Sequence, residues 1–159
     1  MNILEEIQNC PVEWKELGEV AFLKRGKTIT YKTATDGPYP VISGGQKPAY
    51  FHGEFNREGE TITVAGSGAY AGFVMYWKEP IFVSDAFSIK PFEEMLSTKY
   101  LYHCLLEKQE IIFSLKKGSG VPHVYPKDVS KLLIPIPPLE IQEKIVQKLD
   151  KMTEYVTEL

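Results

Sequence analysis

Histidine and cysteine are scarce in this chain, three and two among 159 residues, and neither type falls at a spacing that site chemistry requires. His52, His103 and His123 are scattered without metal-ligand spacing. Cys10 and Cys104 lack the CxxC separation of a redox or zinc pair, and a reducing compartment keeps such cysteines as thiols. Long apolar runs are missing as well: nothing approaches the roughly 18 uncharged residues of a membrane span. The opening MNILEEIQNC carries Glu5 and Glu6 where a secretory signal places basic and then apolar residues, so a cytoplasmic protein without a membrane partner is expected. His123 stands near serines and Asp128, yet no GxSxG elbow accompanies it. GSGAYAG and GGQ match neither the GxxxxGK[ST] nor the GxGxxG phosphate loop. These glycines read as tight turns, and the sequence nominates no catalytic residue, metal or cofactor.

What is present is unevenly distributed charge. The net charge is −3, but residues 15–50 hold six Lys/Arg against three acids and residues 108–131 hold five lysines against two. Two separated basic stretches rich in Gly, Ser and Tyr can meet on one face and neutralise phosphates, because binding follows the local field. Solvated surface is the plainer account of such clusters.

Along the chain, residues 3–8 suit a helical turn or two ended by Pro11, and Glu13 to Lys24 suit a short helix running into a strand that Gly26 stops. YPVIS (39–43) and TITVAG (61–66) are β-branched runs bounded by Gly and Pro, hence strands. FVMYW and IFVSDAFSI supply further strands around a Lys78-Glu79-Pro80 turn; their blurred alternation fits burial on both faces. Ser97 is an expected N-cap for a helix carrying Leu101, Cys104, Leu105, Ile112 and Leu115 on one face, with Gly118 as its stop. KLLIPIP then reads as a last strand.

Behind it stands LLIPIPPLEIQEKIVQKLDKM, residues 132–152, with three prolines (Pro135, Pro137, Pro138) directly ahead of a helix. Proline holds its own φ and keeps the preceding residue extended, so the strand stays straight and the helix starts at a fixed point; Pro138 suits the first turn. Ile145, Leu149, Met152, Val156 and Leu159 follow at steps of 4, 3, 4 and 3, the a/d seam of a coiled coil. Two heptads are too few to stand alone, so the seam needs a partner, either a second chain or the helix's own domain.

CPVEWKELGEVAFLKRGK and GSGVPHVYPKDVSKLLIPIPPLEIQEKIVQKLD together resemble the specificity subunit of type I restriction–modification systems, and YPVISGGQ, TVAGSGAYAGFV and FVSDAFSIKP fit the looser glycine-rich strands of its target-recognition domain. The resemblance implies an α+β fold: a DNA target-recognition domain over residues 1–137, with a mixed, mostly antiparallel twisted sheet and flanking helices, followed by a coiled-coil-type helix over 138–159 for dimerisation, spacing and subunit docking. It also implies noncatalytic recognition of double-stranded DNA, with methylation and cleavage left to methyltransferase (modification) and restriction subunits. The family carries two recognition domains and two helices per chain; this chain has one of each, as a half-subunit or a fragment would. A homodimer through the terminal helix would then read an inverted repeat. An accessory specificity chain of another restriction–methylation enzyme, or a carbohydrate-binding module using the nine Tyr, eight Phe and two Trp, stands as the alternative.

Base edges call for paired donors and acceptors, and phosphates for lysines and backbone amides. The loops offer Lys24, Arg25, Lys27, Tyr31 and Lys32; Ser43, Gly44, Gly45, Gln46 and Lys47; Ser67 and Tyr70; and Lys116, Lys117, Ser119, His123 and Tyr125. Arg25 suits guanine and Gln46 adenine.

Overall fold

The computed structural model describes residues 3–158, with side chains through Met152. An antiparallel sheet forms the centre, in the order β2 (Ala21–Arg25), β8 (Ala86–Pro91), β5 (Thr61–Ala65), β6 (Val74–Trp77). All five residues of β5 are buried, which explains its continuous β-branched run where a half-exposed strand would alternate. Its two threonines are satisfied inside: Trp77 Nε1 donates to Thr63 Oγ1 at 2.9 Å, and Thr61 Oγ1 donates to the Gly59 carbonyl at 3.1 Å. A smaller sheet runs β4 (Phe51–His52), β3 (Tyr39–Ile42), β7 (Phe82–Val83), the last pair parallel. Ile42, Ile81, Val83 and Ala86 form a second small core beneath it.

The third sheet has two strands, β1 (Glu13–Glu16) and β9 (Leu133–Ile136), with Trp14 opposite Pro135. Because β9 pairs on one side only, it tolerates a proline, which lacks the N–H for a second ladder. Between β1 and β2 lies the four-residue α2 (Leu17–Val20). The expected helix-then-strand over Glu13 to Lys24 is therefore strand, helical turn and strand, because β9 offers β1 a partner that local pattern could not reveal.

Helix α1 (Ile3–Ile7) ends before Pro11 as expected. Ser97 caps α3 (Thr98–Glu107), its Oγ accepting from Tyr100 N at 3.1 Å. The helix does not run on to Gly118 but breaks at Lys108 and resumes as α4 (Gln109–Ser114). The break turns Gln109 to the rim of β6, where Oε1 accepts from Val74 N at 3.0 Å and Nε2 donates to the Gly72 carbonyl at 2.7 Å. Gly72 has φ +98°, and a Cβ there would lie 3.2 Å from Ile112, so glycine at 72 and Ile112 on α4 fit each other. One turn, α5 (Pro126–Val129), precedes β9, and α6 (Leu139–Glu158) closes the chain.

The first half of α6 belongs to the domain's own core. Gln142, Ile145 and Val146 are buried against it, and Ile141 and Leu149 pack partly against it. Gln142 Nε2 donates to the carbonyls of Met95 and Pro137, both at 2.9 Å, while its Oε1 accepts from Ser97 N at 2.9 Å. Further along, Asp150 meets His103 at 2.9 Å and Lys99 at 3.6 Å, and Lys148 meets Glu6 at 2.9 Å. The open seam expected from Ile145 onward is thus corrected at its start: Ile145, 2% exposed, is covered by its own domain, whose apolar face supplies the nearest partner. Met152 is exposed; the side chain of Val156 and all of Leu159 lie outside the described residues.

Candidate nucleic-acid interface

Backbone ties, more than side chains, gather the loops at one end of the two larger sheets. The chain leaving β2 is held to the corner between β7 and β8: Gly26 N donates to the Ala86 carbonyl at 3.0 Å and Lys27 N to the Val83 carbonyl at 2.9 Å. A Cβ on Gly26 would sit 2.2 Å from the Val83 oxygen, so only glycine permits this approach. Ile29 N reaches Ser84 Oγ at 3.1 Å, and Ser84 N donates to the Ile42 carbonyl at 2.8 Å, which brings in the loop after β3. Gly44 packs on the Ser67 carbonyl, where an added Cβ would meet the oxygen at 2.6 Å. The turn after β5 is tied to the segment before α5: Gly68 N donates to the Pro122 carbonyl at 3.0 Å and Val124 N to the Gly66 carbonyl at 3.1 Å. Five stretches that are far apart in sequence (residues 25–32, 43–47, 66–70, 84–86 and 116–126) therefore share one rim.

Tyr125 is the aromatic centre of this rim. The Arg25 guanidinium lies 5.4 Å from its ring centroid, Lys117 Nζ 5.5 Å, and the His123 ring stacks at 5.8 Å with planes 25° apart. His123 is fixed by its backbone, exchanging hydrogen bonds with Lys117 at 2.9 and 3.0 Å. Gly118 and Gly120, with φ of +110° and +86°, turn the chain between them and leave Ser119 exposed. Lys117 also pairs with Asp128 at 2.8 Å, and this hydrogen bond holds the Asp128 carboxyl below its usual range.

The other sequence-nominated residues divide. Lys27, Tyr31, Lys32, Gln46, Lys47 and Tyr70 are exposed on these loops; Ser43 and Gly45 are half-buried between them. Tyr31 meets Tyr50 edge to face at 5.5 Å, and Tyr50 Oη donates to the Ile29 carbonyl at 3.3 Å, which stiffens that loop. Lys116 folds back, donating to the Ala69 carbonyl at 3.1 Å over the Phe113 ring. Lys24 does not join Arg25. It stands opposite Ser88 in the ladder and Arg25 opposite Phe87, and successive strand residues leave a sheet on opposite faces.

Sequence reasoning missed Asp85, which lines a cleft of about 120 Å³ with Arg25, Thr28, His123 and Tyr125 and accepts a hydrogen bond from Ser67 Oγ. A search for cations and amides passes over an acid; its position between two short strands, in FVSDAF, is the signal that was there. Arg57 is an opposite case, a cation consumed inside the fold. Its guanidinium donates to Ser88 Oγ at 2.7 Å and to the carbonyls of Asn56, Lys24 and Arg25 at 2.9, 3.2 and 3.0 Å. Among the described residues no three of His, Cys, Asp and Glu gather as a metal site, and no helix is long and apolar enough to cross a membrane.

A sheet end presenting cations, an aromatic stack and small polar loops is chemically suited to a polyanion with readable edges, and comparison with known proteins supplies a family. Residues 11–159 match the family model described as the type I restriction modification DNA specificity domain. The specificity subunit of the type I restriction enzyme MjaVIII from Methanocaldococcus jannaschii is 32% identical over 158 residues, covering 92% of this chain and 37% of the relative. That of EcoDI from Escherichia coli is 25% identical over 148 residues, covering 92% and 32%. The fold is shared with the crystal structure of the S subunit from M. genitalium, TM-score 0.82 at 23% identity, over 94% of this chain and 41% of that one. The chain spans between about a third and about half of the length of its curated relatives. With its matched region reaching from the residue after Cys10 to the last, the chain belongs to the type I restriction–modification DNA specificity domain family.

Proposed function

We propose that this chain is a noncatalytic target-recognition module that reads one half of a bipartite site on duplex DNA and directs the modification and restriction subunits of a type I restriction–modification system to it. The observation that carries the reading is the convergence of five loops around the Arg25–Tyr125–Lys117 cluster in a chain of this family. Exposed Lys27, Lys32 and Lys47 supply phosphate contacts, which fix orientation on the duplex without reading sequence. Arg25 and Gln46 reach for guanine and adenine edges, and the backbone ties keep those side chains in register, so little order is lost on binding. Methyl transfer and strand cleavage belong to the partner subunits. Helix α6, held by Gln142 to the domain, sets the direction in which a second recognition domain is placed, and its distal part offers the seam for a symmetric pair.

Titration of the chain with duplex DNA at several salt concentrations tests this reading. A module neutralising several phosphates loses affinity linearly on a log–log plot, with a slope of about −0.9 per phosphate contact. Selection from random duplexes should also return a short fixed motif. Absence of duplex binding, or binding indifferent to salt, would overturn it.

A further inference from the structure

Asp85 is out of place on a surface built for phosphates. It sits in the cleft at the middle of the rim, flanked by Arg25, Thr28, His123 and Tyr125. Among the described residues no ion pair engages it, whereas Asp128 close by is neutralised by Lys117 at 2.8 Å. Among the described residues the one hydrogen-bond partner of its carboxylate is the Ser67 hydroxyl, which fills one of about four lone-pair positions. The position is built. Asp85 accepts at its backbone carbonyl from Gly66 N at 3.1 Å, and a Cβ on Gly66 would crowd Asp85 Oδ1 at 3.1 Å, so the glycine makes room for the carboxylate. A negative group here repels a phosphate and weakens sequence-independent binding. Toward DNA, a carboxylate here contributes by accepting hydrogen bonds, and the donors in the major groove are the exocyclic amino groups.

We propose that Asp85, oriented by Ser67 in the cleft beside Tyr125, is a specificity-determining residue that accepts a hydrogen bond from the N4 amino group of a cytosine in the target. This rests on the DNA-recognition reading above. The lone carboxylate selects cytosine over thymine, whose O4 would face it acceptor to acceptor, and over guanine, whose O6 and N7 would do the same. Arg25, 5.4 Å from the Tyr125 centroid on the same cleft, is placed to read a neighbouring base or the flanking phosphate.

The test is selection from a randomised duplex library with the full chain, run in parallel for the wild type, Asp85→Asn and Ser67→Ala. Asparagine preserves the bond from Ser67, since its amide oxygen accepts, but adds a donor. The wild-type motif should contain a fixed cytosine that D85N replaces with adenine, the base asparagine pairs with through N6 and N7, other positions being retained. Discrimination at that position should change by about tenfold, and S67A should weaken the cytosine preference severalfold. D85N should bind random duplex more tightly than the wild type, a gain that a merely structural role for Asp85 does not produce. A motif without cytosine, or an identical motif from D85N, overturns the assignment while leaving DNA recognition standing. Failure of the wild-type chain to bind any duplex overturns both.

Discussion

Lys47 and Lys117 carry the same charge in different surroundings. Lys47 projects from the loop after β3 with no ion pair among the described residues, while Lys117 meets both the Asp128 carboxylate and the Tyr125 ring. Replacing Lys47 with alanine should lower duplex affinity across all sequences and flatten the salt slope by about one unit. Lys117→Ala should change that slope by clearly less, since Asp128 already offsets its charge; equal effects would show that the pair opens on binding. Cys104 allows a different test at this scale. It is 2% exposed, and burial pushes its thiol from the ordinary value near 9 up to about 12; burial raises the Tyr100 phenol in the same direction. Below pH 9 both states of the chain hold this proton and its stabilisation is fully present. Between 9 and 12 the unfolded thiol ionises and the native one does not, so stability falls as pH rises, by about 1.4 kcal/mol per pH unit for each such group. Urea midpoints at pH 8 and pH 11 should show the loss, and Cys104→Ala should reduce its slope.

At the scale of elements, the legibility of the sequence depended on where each partner lay. The Ser97 cap was readable because capping is local, and the buried β5 because its run of β-branched residues has no other use. The break at Lys108 was not readable: it answers to the backbone groups of Val74 in β6 and of Gly72 just before it, more than thirty positions earlier, which Gln109 satisfies. Two-residue strands such as β4 carry too little pattern to register, and the β1–β9 pairing joins opposite ends of the chain. Gln142 shows the same limit in a residue that counts for orientation. It reads as an ordinary helical polar residue, yet it is fully buried and bonded to three backbone groups at the root of α6. Gln142→Leu keeps the size but orphans two carbonyls and one amide. It should cost about 2 kcal/mol or more and speed amide exchange in the first turns of α6. Unchanged exchange there would mean that Ile145 and Val146 alone hold the helix.

For the whole molecule, the basic loops were legible as a set although their individual members were not, since convergence depends on ties such as Gly44 against Ser67 that no spacing encodes. The terminal helix divides in the same way. Its seam pattern was visible, but which of its turns face the parent domain was not, and the domain takes Gln142, Ile145 and Val146. This changes what a truncation can reveal. Removing residues 139–159 would open the main core along with any dimer, because the three buried side chains leave with the helix, so loss of self-association in such a form says little. Charge placed on the outer part of the seam separates the two effects. Met152 is 42% exposed and so available to a second copy, and Val156 follows four residues on, at the next position of the a/d spacing. Met152→Glu combined with Val156→Glu should convert a dimer to a monomer in equilibrium sedimentation, with the melting temperature of the recognition domain within a few degrees of the parent. A site selected by the dimer should be an inverted repeat, since a two-fold protein reads two-fold DNA, and the double variant should retain the half-site while losing the fixed gap. A wild-type chain that sediments as a monomer at high concentration would reject symmetric pairing.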